Sequence, residues 1–181
     1  TKSDGVRLLL KTYLPSWEAG PPDLNLHVEA FARQLGKRRG DLAAVELHVD
    51  ESTSRGALAE MYRGADAFVL PTRGEGWGLP IAEAMASGLP VIATNFSGPT
   101  AFLTDDNSYP LRVARRLPGG QAEPSVADVA QAMKRVRENT KEARRKGERA
   151  RADMAAKFSS HVVAAAARAR LEQIRRELEA G

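Results

Sequence analysis

Cysteine is absent from this chain of 181 residues, which excludes disulfides and thiolate metal sites. Its histidines, His27, His48 and His161, lack ligand spacing and read as ordinary surface or core residues. No apolar run approaches the ~20 residues of a membrane span, and Thr1-Lys2-Ser3-Asp4 has no signal-peptide pattern. A soluble chain without a transmembrane segment is therefore expected, with the cytoplasm favoured and the compartment otherwise unknown. No D-x-D triplet occurs. Asp105 and Asp106 are adjacent in Thr104-Asp105-Asp106-Asn107, where turn formation is their expected role. Neither charge sign dominates, since 27 basic and 23 acidic residues leave +4. The excess concentrates between Lys134 and Lys157. There Glu142 with Lys146 and Asp153 with Lys157 stand at i,i+4 spacing, which supports an exposed helix. Without interleaved aromatics for base stacking, the stretch reads as a solvated helix face and no nucleic acid is expected; an anionic partner is the alternative.

What is present is enough for a core: 43% of residues are hydrophobic, and the length suits one domain spanning 1–181. Val6 to Tyr13 is a near-continuous apolar run, expected to be a strand buried on both faces. A loop follows from Pro15 to Pro22. Leu24, Val28, Phe31 and Leu35 then recur at helical spacing, so Asp23 to Lys37 reads as a helix and Ala43 to Val49 as a strand. A short helix capped near Ser54, a strand at Ala67 to Leu70 and another at Val91 to Ala93 continue the alternation. Ser108 to Val113 adds an edge strand and Arg115 to Pro124 a loop. Residues 125–181 are predicted to be helical, broken at Gly147 and at Phe158-Ser159-Ser160. The expected fold class is thus α/β: a Rossmann-like parallel sheet with helices on both faces and a helical C-terminal extension.

Between those strands lies Arg73-Gly-Glu-Gly-Trp-Gly-Leu-Pro-Ile-Ala-Glu83, a glycine-rich turn opening a helix at about Leu79. Gly74, Gly76 and Gly78 permit unusual backbone angles and leave amide N–H groups uncovered. Pro80 suits the first helical turn. Unpaired N–H groups and the helix dipole then face the loop, as a diphosphate requires. Glu83, in the first turn, leans back toward the same mouth as Glu75. Carboxylates repel phosphate but accept hydrogen bonds from sugar hydroxyls, so an anion cradle between two of them suits a nucleotide-sugar. A dinucleotide fingerprint fits worse: its third glycine falls at Leu79, and Thr94-Asn95-Phe96-Ser97 stands where an acidic residue belongs.

This glutamate pair, with E-G-W-G-L-P inside it and E-A-M-A-S-G-L-P-V-I-A-T beginning at its second member, resembles the donor-binding signature of family-4 retaining glycosyltransferases of GT-B architecture. The similarity runs from about Val6 to His161 and is most specific between Ala65 and Thr104. It implies a catalytic-site position for Glu75 beside the donor sugar and a ribose-binding role for Glu83. It also implies backbone contacts from Gly76, Trp77, Gly78 and Leu79 to the sugar and diphosphate. Asn95, Ser97 and Gly98 would line the cleft edge, and Asp50, Glu51 and Ser52 would border the nucleobase. No metal or other cofactor is implied beyond the nucleoside-diphosphate sugar, which is the donor substrate.

The resemblance also implies a first strand-helix unit bearing an arginine and a lysine, and an N-terminal acceptor-binding domain, both missing from this chain. Lys11 and Arg73 are candidates to supply donor-binding cations instead, and the chain alone is expected to be inactive in transfer. Ala101 stands where many relatives carry glutamate. The alternative function is a noncatalytic interaction or scaffold domain that retains the fold.

Overall fold

The computed structural model describes residues 5–12, 24–49 and 52–179. The chain divides into two compact units, one through Ala57 and one from Leu58. In the first, β1 (Arg7–Thr12) runs parallel to β2 (Ala44–Val49), with Arg7 opposite Ala44 and Thr12 opposite Val49. The strand expected to be buried on both faces is not: Val6, just before it, and Leu8 within it remain 43% and 40% exposed, and among the described residues β2 is its one strand neighbour. Helix α1 (Leu24–Gln34) stops short of Lys37, since Gly36 turns at φ 65° and Lys37 N–H bonds back to Ala32 O at 2.9 Å. Phe31 and Leu35, two of the residues that marked the helix, are exposed. The loop expected from Pro15 to Pro22 lies outside the described residues.

Helix α2 (Arg55–Arg63) starts where predicted, with Ser54 Oγ accepting from Ala57 N at 3.2 Å. The second unit then builds β3 (Phe68–Leu70), α3 (Leu79–Ala86), β4 (Val91–Thr94) and β5 (Tyr109–Leu111) into a parallel sheet of order β3-β4-β5. Every residue of the central strand β4 is buried. Val91 and Ala93 share a cluster with Ile81, Ala84 and Met85 of α3 and with Ala150 and Met154 of α5 (Thr140–Phe158). Ile92, pointing the other way, packs with Tyr109, Leu111 and Val136 of α4 (Val126–Glu138). Helices therefore cover both faces, as the unbroken apolar run of β4 requires. Pro110, which has no N–H to offer, occupies the edge strand β5.

The stretch read as a loop from Arg115 to Pro124 is instead an antiparallel hairpin, β6 (Val113–Arg116) with β7 (Ala122–Pro124). Gly119 and Gly120, both at φ 77°, reverse the chain, and Leu117 N–H closes onto Gln121 O at 2.8 Å. Helix α4 is capped by Ser125, whose Oγ accepts from Asp128 N at 3.3 Å, and α6 (Ser160–Glu179) follows α5 after the predicted break at Ser159. The other break falls at Asn139, not Gly147. Gly147 lies buried inside α5, where a Cβ would stand 2.1 Å from Gly88 O. This glycine serves close backbone approach.

The basic stretch is not simply a solvated face. Lys146 is only 5% exposed and bonds Asp105 O and Ser108 O, the latter at 2.9 Å, tying α5 to the turn before β5. Its Nζ is 4.0 Å from Glu142 Oε1. Asp153 is also buried and pairs with Arg149 at 3.0 Å while accepting from Asn107 at 2.9 Å. Burial alone would raise the Asp153 carboxyl, but those hydrogen bonds, with the charges of Arg149 and Lys157, hold it below its ordinary range. No helix among the described residues is long and apolar enough to cross a membrane.

Candidate functional site

The loop between β3 and α3 begins with a local tie: Gly74 N–H donates to Thr72 Oγ1 at 3.3 Å, and the same hydroxyl donates to Gly74 O at 3.1 Å. Of the three loop glycines, Gly78 alone has a positive φ, at 92°. A Cβ there would also meet Pro99 Cγ at 3.1 Å and Ile81 Cδ1 at 3.2 Å. Gly76 faces open space, with nothing within 4 Å of where its Cβ would be. Gly78 is the N-cap of α3 and, lacking a side chain, offers no capping oxygen. Among the described residues, the N–H groups of Gly76, Trp77, Gly78 and Leu79 donate no hydrogen bond. Four consecutive amides at a helix start are thus left for a ligand or solvent.

Glu75 is clamped by the loop after β4. Its N–H donates to Ser97 Oγ at 3.0 Å, Ser97 Oγ donates to Glu75 O at 2.7 Å, and Gly98 N–H reaches the same carbonyl at 3.1 Å. Ser97 adopts φ 53° and ψ −132°, the one positive-φ residue other than glycine among the described residues. At Gly98 a Cβ would stand 2.3 Å from Gly76 O and 2.6 Å from Trp77 Cα, so the two loops touch backbone to backbone. The Trp77 ring turns away from this contact onto Phe102 at 5.1 Å and Phe158 at 5.2 Å, anchoring the loop through its side chain.

Glu83 is held separately: its Oε2 accepts from Tyr62 OH at 3.1 Å, and that hydroxyl also lies 3.4 Å from Pro80 O. Burial, and then the Glu83 charge and hydrogen bond, push the Tyr62 phenol well above its usual value, so it stays a donor. The structure therefore joins Glu75, Gly76 and Trp77 to Ser97 and Gly98, and supports Glu83 through α2.

A family model described as Glycosyl transferases group 1 matches residues 42–153, and so contains this whole constellation. The chain belongs to that family. Among group 1 relatives, the D-inositol 3-phosphate glycosyltransferase 2 of Catenulispora acidiphila is 36% identical over 110 residues, 61% of this chain and 24% of the relative. The D-inositol 3-phosphate glycosyltransferase of Xylanimonas cellulosilytica is 36% identical over 88 residues, covering 49% and 20%. This chain thus spans a minor part of the curated relatives it matches. The parallel α/β fold matches GT-B glycosyltransferase structures. Sucrose-phosphate synthase of Thermosynechococcus elongatus superposes with a TM-score of 0.66 at 24% identity, over 96% of this chain and 38% of that one. The C-terminal domain of the group 1 protein LpcC from Francisella tularensis gives a TM-score of 0.57 at 24% identity, over 76% and 64%.

The remaining candidates are placed differently. Arg73 lies 3.4 Å from Glu123 Oε1, and its carbonyl accepts from Ala122 N at 2.8 Å. Lys11 belongs to the first unit, where its Nζ reaches Thr12 O at 3.4 Å. Asn95 continues β4, its N–H bonded to Leu111 O at 2.9 Å. Ala101 ends the short 3-10 turn Gly98–Ala101. Asp50 and Glu51 lie outside the described residues. Sequence reasoning missed Tyr62 and the hairpin: nothing local marks a helical tyrosine as the partner of a carboxylate 21 positions on.

Proposed function

We propose that this chain is the donor-binding part of a retaining, family-4-like glycosyltransferase that moves a sugar from a nucleoside-diphosphate donor to an acceptor. Glu83 accepts hydrogen bonds from the ribose hydroxyls, and Tyr62 fixes its orientation. The four free amides from Gly76 to Leu79 receive the diphosphate and the near side of the sugar, aided by the positive end of α3. Glu75 stands beside the transferable sugar, its backbone set by Ser97 and Gly98, with Asn95 on the cleft edge. As the bond to the leaving diphosphate breaks, charge grows on oxygens that fixed N–H dipoles stabilise without a metal ion. Lys11 and Arg73 add positive charge. An N-terminal acceptor-binding domain completes the catalytic cleft, and the enzyme works in the cytoplasm.

The observation that carries this reading is the run of four unpaired amides beside an anchored carboxylate. Titration calorimetry of the protein carrying this chain with UDP, GDP and ADP tests it. One nucleotide is expected to bind. Glu83→Ala is expected to weaken it roughly 10- to 100-fold, the loss of charge-assisted hydrogen bonds. The 2′,3′-dideoxy nucleotide should lose a similar factor against the native protein and almost nothing further against the variant. Absence of binding by all three nucleotides would favour the noncatalytic scaffold instead.

A further inference from the structure

Arg73 opens the signature loop, and two consecutive residues of β7 hold it, one by its backbone and one by its side chain. Ala122, fully buried, donates its N–H to Arg73 O at 2.8 Å, and Glu123 Oε1 lies 3.4 Å from the Arg73 guanidinium. The Glu123 carboxylate is itself set from the opposite strand. Glu123 and Arg115 are cross-strand partners in the hairpin, and Arg115 Nε and Nη2 both donate to Oε2, at 2.9 and 2.5 Å. That fork spends one carboxylate oxygen and leaves Oε1 to Arg73. It also keeps the group ionised: the Arg115 hydrogen bonds, helped by the charges of Arg115 and Arg73 and opposed by burial, hold the Glu123 carboxyl below its ordinary range. A further contact seats the hairpin, since the Arg116 guanidinium lies 4.4 Å from the centre of the Phe96 ring, in the same post-β4 loop whose Ser97 and Gly98 hold Glu75.

The Arg73 side chain remains 62% exposed, and its guanidinium donates no other hydrogen bond among the described residues. A guanidinium carries five N–H donors in a planar fork, so one edge resting on Glu123 leaves the other open. Resting on the donor reading above, in which Arg73 supplies positive charge, we propose that Glu123 is a positioning residue: backed by Arg115, it holds Arg73 so that the open edge of the guanidinium meets the donor diphosphate. A free arginine loses rotamer freedom when it engages a ligand, and the hairpin has already removed part of that freedom. The effect runs against simple charge. A carboxylate near an anion site repels the ligand, so Glu123 opposes diphosphate binding directly and favours it through Arg73. These two contributions have opposite signs, which makes them separable by experiment.

Titration calorimetry of the protein carrying this chain, with whichever of UDP, GDP and ADP it binds, tests this as a double-mutant cycle. Glu123→Ala should weaken binding by the native protein at least ~3-fold, the scale of an exposed ion pair. In an Arg73→Gln background the same substitution should weaken nothing, since only the loss of a repelling charge is then felt. Glu123→Gln, which keeps a side-chain oxygen for Arg73, should lose less than Glu123→Ala. If Glu123→Ala melts so early that it cannot be titrated, Glu123→Gln carries the cycle, with weakening expected in native protein and none in the Arg73→Gln background. Equal weakening in both backgrounds would give Glu123 a purely structural part in the loop, and no change or tightening in native protein would leave repulsion as its whole effect; either result overturns the proposal. So does an Arg73→Gln protein that binds the nucleotide as tightly as native. Absence of nucleotide binding to native protein is the separate failure of the donor reading.

Discussion

Replacing Ser97 by alanine and, separately, by glycine sets two opposed effects against each other. Both variants lose the hydroxyl that bonds Glu75 N–H at 3.0 Å and Glu75 O at 2.7 Å. At about 1 kcal/mol each, and with Gly98 N–H still serving the carbonyl, the loss is about 1–2 kcal/mol. Alanine also retains the Cβ that makes φ 53°, ψ −132° unfavourable, whereas glycine releases about 1–3 kcal/mol of backbone strain. Against that release, glycine loses about 0.5–1 kcal/mol through its freer unfolded chain. The glycine variant should therefore be more stable than the alanine variant by about 1–2 kcal/mol and lie near native stability. For a chain of this size the gap corresponds to roughly 2–8 °C in thermal denaturation. Hydrogen exchange at the Glu75 amide should accelerate in both. An alanine variant as stable as the glycine variant would show that the Ser97 backbone carries no strain, and the reasoning would fail.

Other substitutions follow from the same geometry. Gly147→Ala, which helix propensity alone would favour by about 1 kcal/mol, should instead cost about 3 kcal/mol in urea denaturation, because its Cβ meets the Gly88 carbonyl. Asp153, with its carboxyl held low, adds stability that is present above the ordinary aspartate range and lost as pH falls through its depressed value. The margin of native protein over Asp153→Asn should therefore be larger at pH 7 than near pH 2, as measured by denaturation at both. Tyr62→Phe should cost about 1 kcal/mol at neutral pH. Because the folded phenol titrates above the unfolded one, native protein should lose that advantage as the solution becomes strongly alkaline, a trend the phenylalanine variant should not share.

Those parts of the fold that depend on local pattern were legible in the sequence. The buried strand Val91–Thr94, the cap at Ser54 and the helix start at Leu79 all follow from hydrophobic runs and short-range hydrogen bonds. Glycine was harder to read, because its absent side chain serves different ends. Gly78 supplies a left-handed angle, Gly147 and Gly98 allow backbones to touch, and Gly119 with Gly120 reverse a hairpin. Gly119 and Gly120 follow Pro118 and read as a turn, yet the arginine-rich flank concealed the strands on either side. Charge spacing misled similarly: Lys146 and Asp153 fit a solvent-facing helical pattern, but their partners are carbonyls and an amide some 40 residues upstream, at Asp105, Ser108 and Asn107. The glutamates were visible as a pair. What steadies each of them, Ser97 for one and Tyr62 for the other, depends on tertiary approach.

Where the turn after α3 meets the middle of α5, Gly88 and Gly147 leave no slack for one segment to slide over the other. Helix α5 is 19 residues long, and Phe158 at its far end abuts Trp77. The rod is consequently clipped to both ends of the short helix whose head carries the free amides. A pull on that head cannot be absorbed by a hinge nearby and is delivered to the whole length of the rod.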